Sequence, residues 1–122
     1  VERYKRLFAD FGEGDHARLM GENRNGNSIL IEQMSDGTRD QLYLSLRLAA
    51  VAHYGETSTA TLLPFVADDL LVNFDDARAA AGFQALRELS RNVQVIVFTH
   101  HQHLADVARG ALGENGWTVH RL

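Results

Sequence analysis

The chain has 122 residues with a net charge of −4, 45% apolar residues and no cysteine. This length allows one domain, and the apolar share is typical of a globular protein rather than a disordered one. The acidic balance gives no overall basic footprint for nucleic acid, and the lack of cysteine excludes disulfides and thiol catalysis.

The first predicted element is a helix over residues 1–11, because its large apolar side chains recur at helical spacing. These side chains are Tyr4, Leu7, Phe8 and Phe11. Glycines at 12 and 14 break the helix. The Asn-Gly-Asn sequence at 25–27 predicts a turn, and 28–34 predicts a strand, so this region forms a hairpin or a meander.

A long helix is predicted to follow, with Ser35 and Asp36 as good N-cap residues and Tyr54 near its end. Its apolar residues lie on two sides, which predicts a mostly buried helix. The small polar loop before it presents free backbone N–H groups and the positive end of the helix dipole. This end is a candidate anion site, and a plain capped helix is the alternative.

The most informative stretch is an apolar run over 62–67, predicted to be a buried strand, that ends in Asp68 and Asp69. A second apolar run leads to another pair, Asp75 and Asp76. A carboxylate is costly to desolvate unless it meets a cation, a donor or water. Ligands bind at the carboxyl ends of strands in open α/β sheets, so this edge is a candidate metal or catalytic site. The alternative is that the acids cap the next helix.

The rest of the chain predicts a helix over 77–91, a strand over 93–99, a helix over 104–112 and a last strand over 117–122. Alternating strands and helices indicate a parallel α/β sheet. The second central strand ends in Thr99 and His100, as the first ends in Asp68 and Asp69. If the two strands are neighbours, these polar groups converge on one crevice.

Four motifs in this order resemble a known family. They are Ser-Asp-Gly at 35–37, the strand ending in Asp-Asp at 68–69, the Phe-Asp at 74–75 and the Thr-His at 99–100. The pattern is similar to the C-terminal lobe of an ABC-type ATPase head of the SMC, SbcC and RecF-like class, and resembles in particular the YhaN-like bacterial AAA-family ATPases. The resemblance covers residues 29–108. It implies the parallel-sheet half of a P-loop NTPase, an α/β fold with flanking helices.

The resemblance implies that three residues act on ATP held by their own subunit. Asp68 matches the Walker B aspartate, which supports Mg²⁺, usually through water. Asp69 matches the acid that polarises the attacking water. His100 matches the switch histidine, which senses the γ-phosphate.

Three further residues match groups that act across a homodimer of heads. Ser35 and Gly37 match the signature motif, which contacts the γ-phosphate of ATP in the opposite subunit. Asp75 matches the D-loop aspartate, which works across the dimer interface. The implied function is Mg²⁺-dependent ATP hydrolysis in a composite site, coupled to DNA maintenance or repair.

The chain departs from the family pattern in three respects. Asp36 stands where the signature has glycine, and Asp69 stands where glutamate is usual, which predicts slow hydrolysis. No G-x-x-x-x-G-K-[ST] phosphate loop occurs in the sequence. The resemblance implies that this loop lies in an N-terminal Walker A lobe, beyond a coiled coil whose returning end is 1–11. We therefore expect one C-terminal lobe over 1–122, with its core at 28–122, that is inactive alone.

Two other functions are compatible with the sequence. The first is a non-enzymatic interaction or regulatory module. The second is a hydrolase whose carboxylates and imidazoles bind Zn²⁺ or Mn²⁺. Its candidate ligands are Asp68, Asp69, His100, His101 and His103. Against it, we expect His101 and His103 to be solvated residues at a helix start. No apolar run approaches the roughly 20 residues of a membrane span, and we expect a bacterial cytoplasmic protein.

Overall fold

The computed structural model describes residues 4–12, 16–57 and 63–121. The chain divides into two compact units, Val1–Ser45 and Leu46–Leu122. Some predictions lie outside the described residues: the helix break at 13–15, the loop at 58–60, the start of the acidic stretch at 61–62 and the ends of the chain at 1–3 and 122.

The first unit contains an antiparallel sheet in the order β1–β2–β3. The strands are β1 (Tyr4–Asp10), β2 (Arg18–Asn23) and β3 (Ser28–Leu30). A 3-10 turn over Ile31–Gln33 follows, so the strand predicted for 28–34 is shorter than expected. The turn predicted at 25–27 is confirmed, since the backbone N–H of Asn23 donates to the Asn27 carbonyl at 2.9 Å and Gly26 has a φ of 83°.

The helix predicted for 1–11 is wrong over β1, and this segment is therefore not the end of a coiled-coil helix. The pairing of β1 with β2 shifts between Tyr4 and Arg6, which places one extra residue in β1. Such a bulge reverses the alternation of a strand, so residues three apart come to face the same side. Tyr4 and Leu7 both pack against the core of the first unit. Their spacing of three therefore imitates a helical pattern.

The core of the first unit lies beside the start of the long helix. It consists of the buried residues Ile31, Met34 and Leu42, with Tyr4, Leu7, Leu19 and Ile29 packed against them. Gly21 permits this packing, because a Cβ there would lie 2.5 Å from the Met34 Cε atom. Met34 packs beside Gly21 of the sheet and directly precedes the Ser-Asp-Gly sequence. This packing therefore fixes the position at which that sequence begins.

Helix α1 spans Asp36–Thr57 and extends three residues beyond the predicted end at Tyr54. Leu42, Leu44 and Leu48 are buried, whereas Leu46 is exposed. The prediction that both sides of this helix are mostly buried is therefore wrong.

The second unit contains a β–α–β crossover followed by a helix, and this arrangement confirms the predicted α/β class. Besides the last part of α1, its elements are β4 (Phe65–Asp68), α2 (Asp76–Leu89), β5 (Val95–Phe98) and α3 (Gln102–Leu112). β4 and β5 pair in parallel, with Phe65 opposite Val95 and Asp68 opposite Phe98. The apolar faces of the helices supply most of the core. Buried there are Ala79, Phe83, Leu86, Leu89, Leu104 and Ala108.

Two predictions for the second unit are wrong. Val66 and Phe98 lie on one face of the β4–β5 sheet and are 55% and 47% exposed, so the strands are not covered on both faces. The strand predicted for 117–122 is absent over 117–121, where the structure has no regular element. Instead, the Trp117 indole N–H donates to the Gly113 carbonyl at 2.6 Å, which folds this segment back onto the end of α3.

In the described ranges, no helix is both long and apolar enough to cross a membrane.

Candidate functional site

The carboxyl ends of β4 and β5 bring together the polar residues that follow the two strands. The ladder continues one step beyond the strands, because the backbone N–H of Asp69 donates to the Phe98 carbonyl at 2.9 Å. Asp69 therefore lies beside Thr99 and His100, which follow Phe98. The convergence predicted from the sequence is confirmed.

Both carboxylate oxygens of Asp69 have partners from the other strand end. The Thr99 hydroxyl donates to Oδ1 at 2.9 Å, and the His100 Nδ1 atom lies 2.7 Å from Oδ2. The bond from Thr99 is the main cause that lowers the pKa of Asp69. Desolvation by partial burial opposes this shift, and the charge and hydrogen bonds of the neighbouring His100 lower the pKa further. Asp69 is consequently an oriented carboxylate that stays ionised well below neutral pH.

The backbone of Asp69 has a φ of 46°, in the left-handed region. Few residues other than glycine adopt this conformation, and aspartate and asparagine tolerate it best. The positive φ turns the chain sharply at the end of β4. A short acidic side chain such as that of aspartate is therefore compatible with this turn, whereas the longer side chain of glutamate would be more strained there.

Asp69, His100 and His101 form a compact cluster, which we call the Asp-His-His cluster. Each offers one potential ligand atom, and these atoms lie within 4.8 Å of one another. The imidazole centroids of His100 and His101 are 3.9 Å apart, with the rings tilted by 39°. His101 is the N-cap residue of α3, so its predicted position at a helix start is confirmed, but it is half-buried and therefore less solvated than expected.

His103 belongs to a different pair. Its Nε2 atom lies 2.7 Å from Oδ1 of Asp76, at the start of α2. This bond, together with the attraction of the Asp76 charge, raises the pKa of His103, and Asp106 adds to the effect. The five-residue metal site considered from the sequence is therefore not assembled as a whole, since the cluster contains three of its residues.

Asp75 caps α2. Its Oδ1 atom accepts a hydrogen bond from the backbone N–H of Arg78 at 2.8 Å, and its Oδ2 atom lies 3.3 Å from the Arg78 Nε atom. The capping interpretation of this acid is confirmed, while Asp68 and Asp69 lie well before the helix and do not cap it. Capping leaves the Asp75 side chain 62% exposed, so it remains accessible.

The turn between Asp69 and Asp75 is anchored by Leu71, which is 1% exposed. Its side chain occupies the space beside Gly82 of α2, where a Cβ would lie 2.7 Å from the Leu71 Cδ2 atom. This close approach seats the turn on the helix. The positions of the two acids therefore depend on a contact between two apolar residues that carry no chemistry themselves.

The Ser-Asp-Gly sequence, in the first unit, forms the entry to α1. The Ser35 carbonyl accepts from the N–H groups of Thr38 and Arg39 at 3.0 and 2.9 Å, and the Ser35 hydroxyl lies 2.9 Å from that of Thr38. The carboxylate of Asp36 pairs with Arg39. Gly37 is half-buried in the first turn. The charge of Asp36 is thus matched within its own helix turn.

No family model matches the chain. The chain is 38% identical over 98 residues to YhaN of Bacillus subtilis (strain 168), which is described as uncharacterized. The match covers 79% of this chain and 10% of YhaN. A solved structure, from work on ATP-driven dimerization and DNA-stimulated activation of SMC ATPases, is also similar. Its TM-score is 0.62 at 20% identity, over 84% of this chain and 60% of that chain.

The chain is therefore similar to a segment of YhaN, and it shares its fold with part of the SMC ATPase structure. It spans about a tenth of the length of YhaN. Asp68, Asp69 and His100 lie at one sheet edge of the second unit, and Ser35 and Gly37 lie in the first unit. The predicted resemblance and fold class are confirmed, whereas the roles assigned to these residues remain predictions.

Sequence reasoning missed two features of the site. Thr99 was noted only as a polar residue after a strand, yet it orients Asp69. His101 was named only among the five candidate ligands of the alternative metal site and was expected to be solvated, yet it joins the cluster. A signal was present for both, because residues 99–101 directly follow the strand predicted to end beside Asp69.

Proposed function

We propose that this chain supplies the hydrolytic and signature groups of a Mg²⁺-dependent ATPase of the SMC and YhaN-like type. The observation that supports this most is the meeting of Asp69 and His100 at the carboxyl edge of β4 and β5. An ionised carboxylate held by Thr99 is suited to orient and polarise a water molecule. Phosphoryl transfer depends mainly on such positioning and on charge stabilisation.

The donor set at this edge fits Mg²⁺, because Asp68 presents an exposed carboxylate at the end of β4 and carboxylate oxygen is a ligand that Mg²⁺ prefers. In the proposal Asp68 holds the ion through water. When bound with ATP, Mg²⁺ neutralises part of the phosphate charge. Asp69 then polarises the attacking water, and His100 senses the γ-phosphate from the neighbouring strand end.

The phosphates need a further partner, since the sequence contains no G-x-x-x-x-G-K-[ST] loop. In our proposal an N-terminal Walker A lobe of the same protein supplies it. The half-covered β4–β5 sheet supports this view. Parallel strands are normally covered on both faces, whereas Val66 and Phe98 are largely exposed here.

The Ser35 and Gly37 loop and Asp75 would act across a homodimer of heads. The solved SMC structure comes from work on ATP-driven dimerization and DNA-stimulated activation of those ATPases. By this likeness we extend the proposal to a head dimer that responds to DNA in the bacterial cytoplasm, in DNA maintenance or repair. The N-terminus of α1 supplies donors and a positive dipole end suited to a phosphate.

The test is Mg²⁺-dependent ATP hydrolysis by this chain, alone and joined to its Walker A lobe. We expect the lone chain to be inert and the completed head to hydrolyse ATP with a rate that depends on head concentration. Asp69→Asn should retain ATP binding and the closed dimer but reduce turnover by about 100-fold or more, because it removes the acid–base group. Asparagine tolerates the positive φ, so the turn survives.

The matched control is Asp76→Asn, which removes a nearby carboxylate that pairs with His103 instead. We expect it to retain hydrolysis. Normal turnover by Asp69→Asn would remove Asp69 from the proposed role. A completed head that neither binds nor hydrolyses ATP would overturn the ATPase proposal in favour of a non-enzymatic interaction module.

A further inference from the structure

The Asp-His-His cluster has the composition of a transition-metal site. It offers one carboxylate oxygen and two imidazole nitrogens whose ligand atoms lie within 4.8 Å of one another. Three such ligands with further positions left open are a common zinc arrangement. Mg²⁺ prefers oxygen ligands, so the two imidazoles give the cluster a preference for zinc over the ion proposed for Asp68.

Thr99 makes hydrogen bonds to two residues of the cluster. Its hydroxyl donates to Oδ1 of Asp69 at 2.9 Å and accepts from the backbone N–H of His101 at 3.2 Å. One side chain therefore orients a carboxylate ligand and the backbone of an imidazole ligand. Groups that orient ligands in this way raise metal affinity in known sites.

The cluster is accessible to an incoming ion. The His100 side chain is 74% exposed and the Asp69 side chain 31% exposed. The His100 Nδ1 and Asp69 Oδ2 atoms are 2.7 Å apart. An ion bound at about 2.0–2.1 Å from each would need them to separate only slightly, a movement open to an exposed ring.

We propose that Asp69, His100 and His101 bind one Zn²⁺ ion, and that this ion inhibits hydrolysis by engaging Asp69. The binding step stands on the cluster alone. The inhibition rests on the proposed ATPase function, because it requires Asp69 to be the group that polarises water.

Zinc binding is tested by calorimetric titration of the full chain with zinc chloride. We expect one ion per chain, with an affinity at least tenfold weaker in His101→Ala. The matched control is His103→Ala, which removes a nearby imidazole that pairs with Asp76 and lies outside the cluster. It should bind zinc like the wild type. Circular dichroism of each variant checks that it is folded.

A second readout uses Co²⁺ in place of zinc. The wild type and His103→Ala should give the visible absorption of low-symmetry Co²⁺ with imidazole ligands, and His101→Gln should lose it even if His101→Ala fails to fold. No zinc binding by the wild type, or equal binding by the folded His101 variants, would overturn the site.

Inhibition is measured separately, as the ratio of Mg²⁺-ATP hydrolysis with and without zinc in the completed head. We expect zinc to lower the hydrolysis rate of the wild type. The His101→Ala variant should need at least a tenfold higher zinc concentration for the same inhibition. Zinc binding by a completed head without ATPase activity would leave the site intact and sink the proposed function. Hydrolysis of ATP by a completed head that does not bind zinc would overturn the zinc site and leave the proposed function intact.

Discussion

The Thr99 hydroxyl donates a hydrogen bond to the Asp69 carboxylate at 2.9 Å and so joins the ends of β4 and β5 through their side chains. The same hydroxyl accepts from the N–H of His101, at the entrance to α3. Thr99 thus connects the acid, the neighbouring strand and the following helix.

Thr99→Val should raise the pKa of Asp69 towards its ordinary value, because the bond from Thr99 is the main cause of the lowered pKa. The carboxyl carbon resonance of Asp69, followed by NMR during an acid titration, measures this change. The stabilisation from the lowered pKa is present above the unfolded-state pKa and is lost as the pH falls through the folded-state pKa. Thr99→Val should therefore make stability less dependent on acid pH.

Thr118→Val is the control for this substitution, since Thr118 lies in the irregular segment after α3 and its hydroxyl is near His120 rather than an acid. It should leave the Asp69 titration unchanged. An unaltered Asp69 pKa in Thr99→Val would show that another group holds the carboxylate ionised.

Gly82→Ala should destabilise the fold. The new Cβ would lie 2.7 Å from the Cδ2 atom of Leu71, which is fully buried and has little room to move. Overpacking typically costs about 1–3 kcal/mol. The better helix propensity of alanine offsets about 1 kcal/mol of this. We expect a net loss of about 1 kcal/mol in the free energy of unfolding, measured by urea denaturation.

Gly110→Ala is the matched substitution in α3, because nothing lies within 4 Å of its Cβ position. It should gain up to about 1 kcal/mol from helix propensity. If both variants gained stability equally, the Leu71 contact would not constrain the turn.

Asp75→Ala should lower the free energy of unfolding by about 1 kcal/mol, because it removes the N-cap of α2. Asp75→Ser keeps a capping oxygen and should stay close to the wild type in urea denaturation. If Asp75 also acts across a head dimer, Asp75→Ser should reduce ATP hydrolysis in the completed head despite normal stability. Equal activity of the serine variant and the wild type would limit Asp75 to capping.

Asp76→Asn should lower the pKa of His103 towards its ordinary value of 6.5, because Asp76 is the main cause that raises it. NMR titration of the His103 ring measures this directly. The stabilisation is fully present below the unfolded-state pKa and is lost as the pH rises through the raised pKa of the folded state. The variant should lose this pH dependence near and above pH 6.5.

The sequence predicted the second unit more accurately than the first. The helical face of α2, with Phe83 and Leu86, is long enough to carry a clear period. In β1, the bulge after Tyr4 reverses the strand alternation, and a short apolar pattern then matches a helix. Only the pairing with β2 distinguishes a bulged strand from a helix in this segment, and pairing depends on residues that are distant in the sequence.

The strand ends were predictable because parallel neighbours place their carboxyl ends at one edge. The finer geometry was not. The positive φ of Asp69 and the bond from Thr99 depend on the exact turn after β4, which no local pattern encodes. The open face of the sheet, with Val66 and Phe98, was also not predicted. An apolar strand has the same sequence pattern whether one or both of its faces are covered in the structure.

The register of β4 and β5 has a consequence for folding. Each residue of β4 pairs with one thirty positions later, from Phe65 with Val95 to Asp68 with Phe98. This long loop must close before Asp69 meets Thr99, and such non-local pairing is slow compared with helix formation. The helices are therefore expected to form ahead of the site. During refolding, the pKa of Asp69 should therefore fall to its lowered value only at a late stage, when β4 and β5 have paired.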